Sequence, residues 1–210
     1  MTAPPLTLAL PKGRVLKAVA PLLAAAGVAT GPLLSDDRTL VREDLAAGLR
    51  FLLLKPDDVP TYVEYGAADL GVCGRDVLFE RGADLYQPLD LRVGRCRMVV
   101  AGAVGAPPPP DVPRVATKYP RMASAHFAAR GIQAEIVYVG GSVELAPVTG
   151  LADLIVDLVE TGTTLVQNGL EAREEVAQIT SVLVANRAAF KLARGRIVPL
   201  VERLRAAVGR

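Results

Sequence analysis

The sequence is poor in the residues that most often do chemistry. It has two cysteines, Cys73 and Cys96, one histidine, His126, and no tryptophan, and aromatic residues make up only 4% of its 210 positions. Two cysteines exclude a disulfide framework and a cysteine-rich zinc module. A single histidine removes the usual material for an imidazole metal site and for a Ser–His or Cys–His nucleophile. Neither charge sign prevails. The 24 Lys and Arg stand against 22 Asp and Glu, a formal net charge of +2, so no broad basic surface for nucleic acid is implied. Long apolar runs are missing as well. The most apolar stretch, Ala18 to Ala29, is broken by Pro21 and Gly27 and falls short of the ~20 residues a membrane span needs. The N-terminus shows no basic segment ahead of an apolar one and no cleavage pattern, so a cytoplasmic protein with free thiols is expected.

What is present is material for a large core. A composition 51% hydrophobic excludes intrinsic disorder, and a chain of this length buries enough apolar surface to fold without staples. Lysine stands only at Lys12, Lys17, Lys55, Lys118 and Lys191, so arginine supplies most of the positive charge. The guanidinium fork suits bidentate phosphate binding. A GC-rich genome or a thermophilic source accounts for the same bias.

Strand and helix patterns alternate along the chain. Leu6 to Leu10 reads as a buried strand, Pro11-Lys12-Gly13 as a turn, and Arg14 to Ala26 as a helix closed by Gly27. Leu49 to Leu54 and Leu70 to Cys73 read as strands around a helix Val59 to Tyr65, whose start is marked by Asp57, Asp58 and Pro60. The β-α-β-α order predicts a mostly parallel sheet covered by helices. The Pro107–Pro110 run marks a loop over Ala103 to Pro113, expected beside a domain boundary. Beyond it come a strand at Arg114 to Thr117, a helix at Ala123 to Ala129, and strands at Glu135 to Val139, Leu154 to Leu158 and Val182 to Val184. A terminal helix, Arg187 to Val208, is expected to be interrupted near Gly195 and Pro199. Gly66-Ala67-Ala68-Asp69-Leu70-Gly71-Val72 and Gly150-Leu151-Ala152-Asp153-Leu154-Ile155-Val156 form a faint repeat, one copy on each side of the polyproline loop. Two similar α/β lobes would produce it, and so would chance among common residues.

Four segments are candidates for chemistry. In Leu154 to Leu165 a buried strand ends in Asp157 and Glu160, then Thr161-Gly162-Thr163-Thr164, then a short helical segment. Backbone N–H groups at such a turn form an anion cradle. The Thr hydroxyls add donors, and Asp157 and Glu160 offer partners for ribose hydroxyls or for a Mg²⁺ brought by a substrate. A plain strand-to-helix connection with a Thr N-cap has the same appearance. Pro11-Lys12-Gly13-Arg14 places two cations around a glycine where a helix starts, which suits a polyphosphate, although the P-loop spacing is absent. Gly71-Val72-Cys73-Gly74-Arg75-Asp76 ends a strand between glycines, with Cys73 as a small buried residue. Arg38 and Arg42, in Asp36 to Arg42, read either as a mobile phosphate clamp or as a solvated loop or hairpin. Arg95 and Arg97 share one strand face at period two, and His126 reads as an ordinary helix residue.

Taken together, Leu8 to Arg14, Lys55 to Gly71, Ala116 to Pro120, Gly141 to Pro147 and Gly150 to Leu165 resemble, in order and spacing, the ATP phosphoribosyltransferase family that opens histidine biosynthesis. Two departures stand out: Lys55 where the family often has Arg, and Cys73 where Thr or Ala is common. The resemblance implies an α/β fold of two periplasmic-binding-protein-like lobes, each a mostly parallel sheet flanked by helices, with a cleft between them. The expected division is residues 1–96 with 184–210 as the ATP and diphosphate lobe, and 97–183 as the lobe with the phosphoribosyl-diphosphate (PRPP) loop.

The implied reaction joins N1 of ATP to C1 of PRPP and releases diphosphate. The implied PRPP residues are Asp153, Asp157, Glu160, Thr161, Gly162, Thr163, Thr164 and Leu165. Lys12, Gly13, Lys55, Asp57, Gly71, Cys73, Gly74 and Glu144 are expected at ATP or diphosphate, and Arg14 and Arg38 as the catalytic arginines. Mg²⁺ is expected on the substrate rather than in a dedicated protein site. The chain resembles the short form of the family. That implies a homodimer within a hetero-oligomer, with a regulatory subunit like a histidyl-tRNA synthetase, and no nucleic-acid or membrane partner. A non-catalytic two-lobed binding protein, or a phosphoribosyltransferase for another base, are the alternatives that composition and order leave.

Overall fold

The computed structural model describes residues 4–35 and 37–209. They form two compact units, 1–94 with 180–210 and 95–179, each built on its own sheet. In the first unit the chain runs β1 (Leu6–Pro11), α1 (Arg14–Ala25), β2 (Val41–Asp44), β3 (Leu49–Leu54), α2 (Val59–Glu64), β4 (Leu70–Gly74), α3 (Arg75–Arg81) and β5 (Tyr86–Asp90). The second unit holds β6 (Cys96–Ala103), β7 (Arg114–Thr117), α4 (Pro120–Ala129), β8 (Glu135–Tyr138), α5 (Leu145–Val148), β9 (Leu154–Val159), α6 (Thr163–Gln167) and β10 (Leu170–Ile179). The chain then returns to the first unit with β11 (Ser181–Ala185), α7 (Arg187–Leu192) and α8 (Arg194–Val208).

Each sheet is mixed rather than mostly parallel. In the first, order β2-β3-β1-β4-β11-β5, β1 pairs in parallel with β3 and β4 while β2, β11 and β5 join antiparallel. In the second, order β10-β6-β9-β7-β8, β7 pairs in parallel with β8 and β9 while β6 and β10 join antiparallel. The parallel centres are covered on both faces, which is why they read as unbroken apolar runs. Leu8 and Leu10 pack with α1 and α8 (Leu23, Ile197, Leu204), and Ala9 between them packs with Val59 and Val63 of α2.

The polyproline loop does not lie at the boundary. It joins β6 to β7 inside the second unit, and the chain changes unit at 94/95 and at 179/180. The return therefore begins before 184, because β11 belongs whole to the first sheet. Proline marks where a strand must stop and says nothing about which sheet follows. The crossing segments are stitched by backbone bonds: Ser181 N–H donates to Val93 O (2.9 Å), and Leu91 N–H donates to Ser181 O (3.0 Å). The terminal helix breaks at Ala193 and runs unbroken through Gly195 and Pro199. Ile197, Leu200, Val201 and Leu204 bury one face of α8, and this burial outweighs the one intrahelical bond that Pro199 forgoes.

The faint repeat is a repeat of structure. In each copy a helix ends at a left-handed glycine, Gly66 (φ 74°) or Gly150 (φ 73°), and an aspartate leads into a parallel strand. Asp69 Oδ2 accepts Thr7 N–H (2.7 Å) and Asp69 N–H donates to Thr7 O (2.9 Å). Asp153 Oδ2 accepts Arg114 N–H (2.8 Å) and Asp153 N–H donates to Arg114 O (2.9 Å). Each aspartate thus fastens its strand to the start of the neighbouring parallel strand and gives a partner to an N–H there that faces its own strand. Among the described residues no helix is long and apolar enough to cross a membrane. Replacing Asp69 or Asp153 by Ala should each lower the unfolding free energy by about 1–3 kcal/mol, with Asp153 at the low end because more solvent reaches it. Urea denaturation of the two variants checks this.

Candidate active site

Parallel strands that start together also end together, and in open α/β sheets ligands gather beyond those carboxyl ends, where the strand order reverses. The order reverses between β1 and β4 in the first sheet and between β7 and β9 in the second. Most of the predicted residues stand at these two places.

In the first unit, β1 ends at Pro11 and is followed by Lys12, Gly13 and Arg14, with Lys12 N–H donating to Leu54 O at the end of β3 (2.8 Å). Gly13 precedes the first turn of α1 with φ 86°, and nothing lies within 4 Å of where a Cβ would stand. The first turn of α1 holds no acidic residue and no side chain caps it. Its N–H groups and the exposed Lys12 and Arg14 therefore suit an anion. Lys55 and Asp57 follow β3, Lys55 at the entry to a short 3-10 turn over Pro56–Asp58. Lys12 and Arg38 line a cavity of about 430 Å³ with Ser35, Asp37, Thr39 and Arg42. Asp36 lies outside the described residues. The Ser35 hydroxyl and the Thr39 N–H hold the Asp37 carboxyl down to about 2, with Arg42 adding to the effect.

Arg42 is not a clamp for an outside phosphate. Its guanidinium is buried and bound to its own loop. The glycines after β4 also serve the fold. A Cβ on Gly71 would stand 2.7 Å from Val63 and 2.8 Å from Val59, so Gly71 lets α2 lie on β4. A Cβ on Gly74 would collide with the Asp76 carboxylate, so Gly74 makes room for Asp76 at the start of α3. Cys73 is buried between them, and desolvation, followed by the Asp76 charge, pushes its thiol up to about 12. A thiol held neutral in this way is no nucleophile.

In the second unit, β7 ends at Thr117 and β9 passes Val156 beside it, so Lys118 and Asp157 follow as neighbours. The buried Thr117 hydroxyl donates to Val156 O (2.6 Å) and accepts Tyr119 N–H (2.9 Å), which fixes the turn carrying Lys118. Asp157 is half-buried. Burial raises its carboxyl above the usual range, the Leu158 N–H opposes this, the nearby Glu144 charge adds to it, and Lys118 opposes it. Glu144 thus stands near Asp157 in the second unit. Beyond β9 come the exposed Glu160 and Thr161, then Gly162 with φ 84° before the first turn of α6. The Thr161 and Thr163 hydroxyls lie 3.0 Å apart, and Thr163 and Thr164 open the helix with exposed side chains. Leu165 faces the core instead. Asp153 is the other exception. It stands at the amino end of β9, separated from Thr161 by the length of a six-residue strand, about 20 Å, and is occupied with Arg114.

The sequence reading passed over Thr117, Lys118 as a site residue, and the structural use of Arg42. Only parallel register marks the first two, and only a contact across a long loop marks the third. His126, read as a helix residue, lies in α4. His126 is buried and, with Arg130, binds Glu174 of β10. Burial alone would raise the Glu174 carboxyl, but its bonds to His126 and Arg130 outweigh this and leave it lowered. Both cysteines are buried, and neither is in a disulfide. With native protein, Ellman's reagent should leave Cys73 unlabelled at pH 8, and labelling should follow the unfolding curve in urea.

The model of the family described as "HisG: ATP phosphoribosyltransferase" matches residues 55–206. The chain is 61% identical over 203 residues to an ATP phosphoribosyltransferase of Sorangium cellulosum, covering 97% of this chain and 96% of that one. It is 50% identical over 204 residues to that of Pseudomonas aeruginosa, covering 97% of each. Among solved structures, the "ATP phosphoribosyl transferase (HisG:HisZ) complex from Thermotoga maritima" superimposes with a TM-score of 0.83 at 37% identity, covering 97% of both chains. Two α/β units with mixed sheets, glycine-entered helix starts beyond the carboxyl ends of their parallel strands and this degree of similarity place the chain in the ATP phosphoribosyltransferase family.

Proposed function

We propose that this chain transfers the phosphoribosyl group of PRPP to N1 of ATP, the first step of histidine biosynthesis, and that its two clusters divide the work. Asp157 and the Thr161–Thr164 turn take the ribose 5-phosphate. Lys12, Gly13, Arg14 and Arg38 take the diphosphate, with Lys55 and Asp57 toward ATP. The observation that carries this reading is the pair of glycine-entered helix starts at strand-order reversals, one flanked by Lys12 and Arg14 and the other preceded by Asp157.

The reaction suits such residues. N1 of adenine is neutral and has a lone pair, so it attacks C1 without losing a proton, and no protein base is required. As the C1–O bond breaks, negative charge builds on the diphosphate, and fixed N–H groups and guanidinium forks stabilise it. The Asp157 carboxyl oxygens accept hydrogen bonds from ribose hydroxyls. Among the described residues no three His, Cys, Asp or Glu side chains form a metal cluster. The exposed Glu160 and the nearby Asp157 fit instead as carboxylate partners of a Mg²⁺ bound to the substrate, which supplies charge neutralisation of the diphosphate. The family's biosynthetic role supports a cytoplasmic location.

Thr161→Val should weaken PRPP binding by about tenfold or more and leave ATP binding unchanged, since it removes a hydroxyl donor to a phosphate dianion. Calorimetric titration of each substrate decides this, and equal weakening of both would remove the assignment. Arg38→Ala should lower the single-turnover rate by about 10²–10³, the usual loss for one donor to a developing anion. Rapid-quench measurement at saturating substrates checks it, and a change confined to affinity would count against the role.

The Thermotoga maritima structure is of a HisG:HisZ complex. That similarity supports a second, regulatory subunit for this chain, and the resemblance to the short form adds that the chain pairs with itself and that the subunit is like a histidyl-tRNA synthetase. Histidine should then inhibit the mixture of both purified subunits strongly and this chain alone weakly or not at all. Full cooperative inhibition of the chain alone would exclude that arrangement.

A further inference from the structure

The connection from α1 to β2 carries Arg38, and the strand that follows it has an inverted pattern. In β2 the apolar Val41 and the charged Glu43 face solvent, while Arg42 and Asp44 point inward and are buried. β2 is the edge of its sheet, and both inward charges turn back onto the preceding connection. Asp44 Oδ2 accepts Ala29 N–H (2.8 Å), near the start of the connection, and Asp44 Oδ1 accepts Ala47 N–H (3.0 Å). Arg42 takes the rest. Its Nε donates to Thr39 O (3.2 Å). One terminal nitrogen donates to Pro32 O and to Ser35 Oγ (2.6 Å). The other donates to Ser35 O (3.4 Å), Asp37 O (3.1 Å) and Asp37 Oδ1 (2.9 Å). Ser35 Oγ in turn donates to Asp37 Oδ2 (2.5 Å), and Asp37 Oδ1 accepts Thr39 N–H (2.8 Å). The residues on either side of Arg38, Asp37 and Thr39, are therefore both fixed to one guanidinium. Among the described residues Arg38 joins no such network, and it lines the cavity it shares with Lys12.

We propose that Arg42 is a positioning residue for the transfer reaction: its guanidinium sets the shape of the loop, and the loop sets where Arg38 stands when the diphosphate leaves. The proposal rests on the diphosphate role given to Arg38 above. A loop free to sample many shapes would place the Arg38 charge correctly only part of the time, and that loss would fall on the chemical step. The function needs a fork. Three nitrogens of one rigid plane reach acceptors on four residues of the loop, whereas a lysine offers a single ammonium with three donors. Arg42→Lys therefore keeps the charge and loses the geometry.

The test uses the full chain with Arg42→Lys, Ser35→Ala, Arg38→Ala and the double variant Arg42→Lys/Arg38→Ala. Arg42→Lys should lower the single-turnover rate roughly 10- to 100-fold, as displacement of a catalytic group by about 1 Å does, with the KM of both substrates within about threefold of wild type. Ser35→Ala, which removes one acceptor and should leave the fold intact, should act in the same direction with a smaller loss. Trypsin should cut after Arg38 faster in both variants than in wild type, at equal Tm for Ser35→Ala. The double variant should be no slower than Arg38→Ala, because Arg42 acts through Arg38. If Arg38→Ala is impaired while Arg42→Lys and Ser35→Ala turn over and resist trypsin like wild type, the positioning role is wrong and the reading of Arg38 stands. Losses that multiply in the double variant would also overturn it. A wild-type rate in Arg38→Ala would remove both.

Discussion

The structure depends on parallel pairing at the centre of each sheet. Antiparallel neighbours send successive loops to opposite ends, whereas parallel neighbours deliver every following loop to one end. Because β1, β3 and β4 run together, Lys12, Lys55 and Arg75 emerge on one edge of the first sheet. Because β7, β8 and β9 run together, Lys118, the segment leading to Glu144, and Glu160 to Thr163 emerge on one edge of the second. A family whose reaction has no acid–base step in its attack needs little more than donors held at one place, and parallel strands supply that.

The opposite ends of the same strands have a different task. Near its start each of β1 and β7 has a backbone N–H whose partner comes from outside the ladder. Asp69 and Asp153 supply it, the same way in both units. The repeat in the sequence therefore reports a solution to a backbone problem, and the acidic residues within it belong to folding. An aspartate just before a buried strand and one near its end look alike in one dimension. They differ by the whole length of the strand.

Buried charge recurs as a way of shaping irregular chain. Arg42 and Asp44 face inward on an edge strand, where a charged residue also discourages pairing with another sheet edge. Arg42 spends its hydrogen bonds on the connection that precedes β2, and Asp44 accepts one N–H from that connection and one from the turn after β2. Desolvation of a charge is tolerated here because all of its donors or acceptors are met. Glu174, a half-exposed charge met by the buried His126 and by Arg130, joins α4 to the outer strand of the second sheet.

The sequence alone determined the alternation of strands and helices, the buried centres and the two glycine-entered helix starts, because these follow from local rules: apolar runs, helix periodicity, and glycine where φ must be positive. It located β1, β3, β7 and the start of α1 to within a residue. It missed β2, β5 and β10, whose residues alternate weakly or carry charge on an outer edge. Tertiary structure alone decided which strands run parallel, where the chain changes unit, and what each polar residue is for. Gly71 looked like room for a ligand and is room for Val59 and Val63. Asp153 looked like part of the phosphate turn and stands at the far end of its strand. Arg42 looked like a partner of Arg38 in the same task and instead holds the loop on which Arg38 stands. In each case the deciding contact joins residues that only packing brings together, and no window of sequence contains both sides of it.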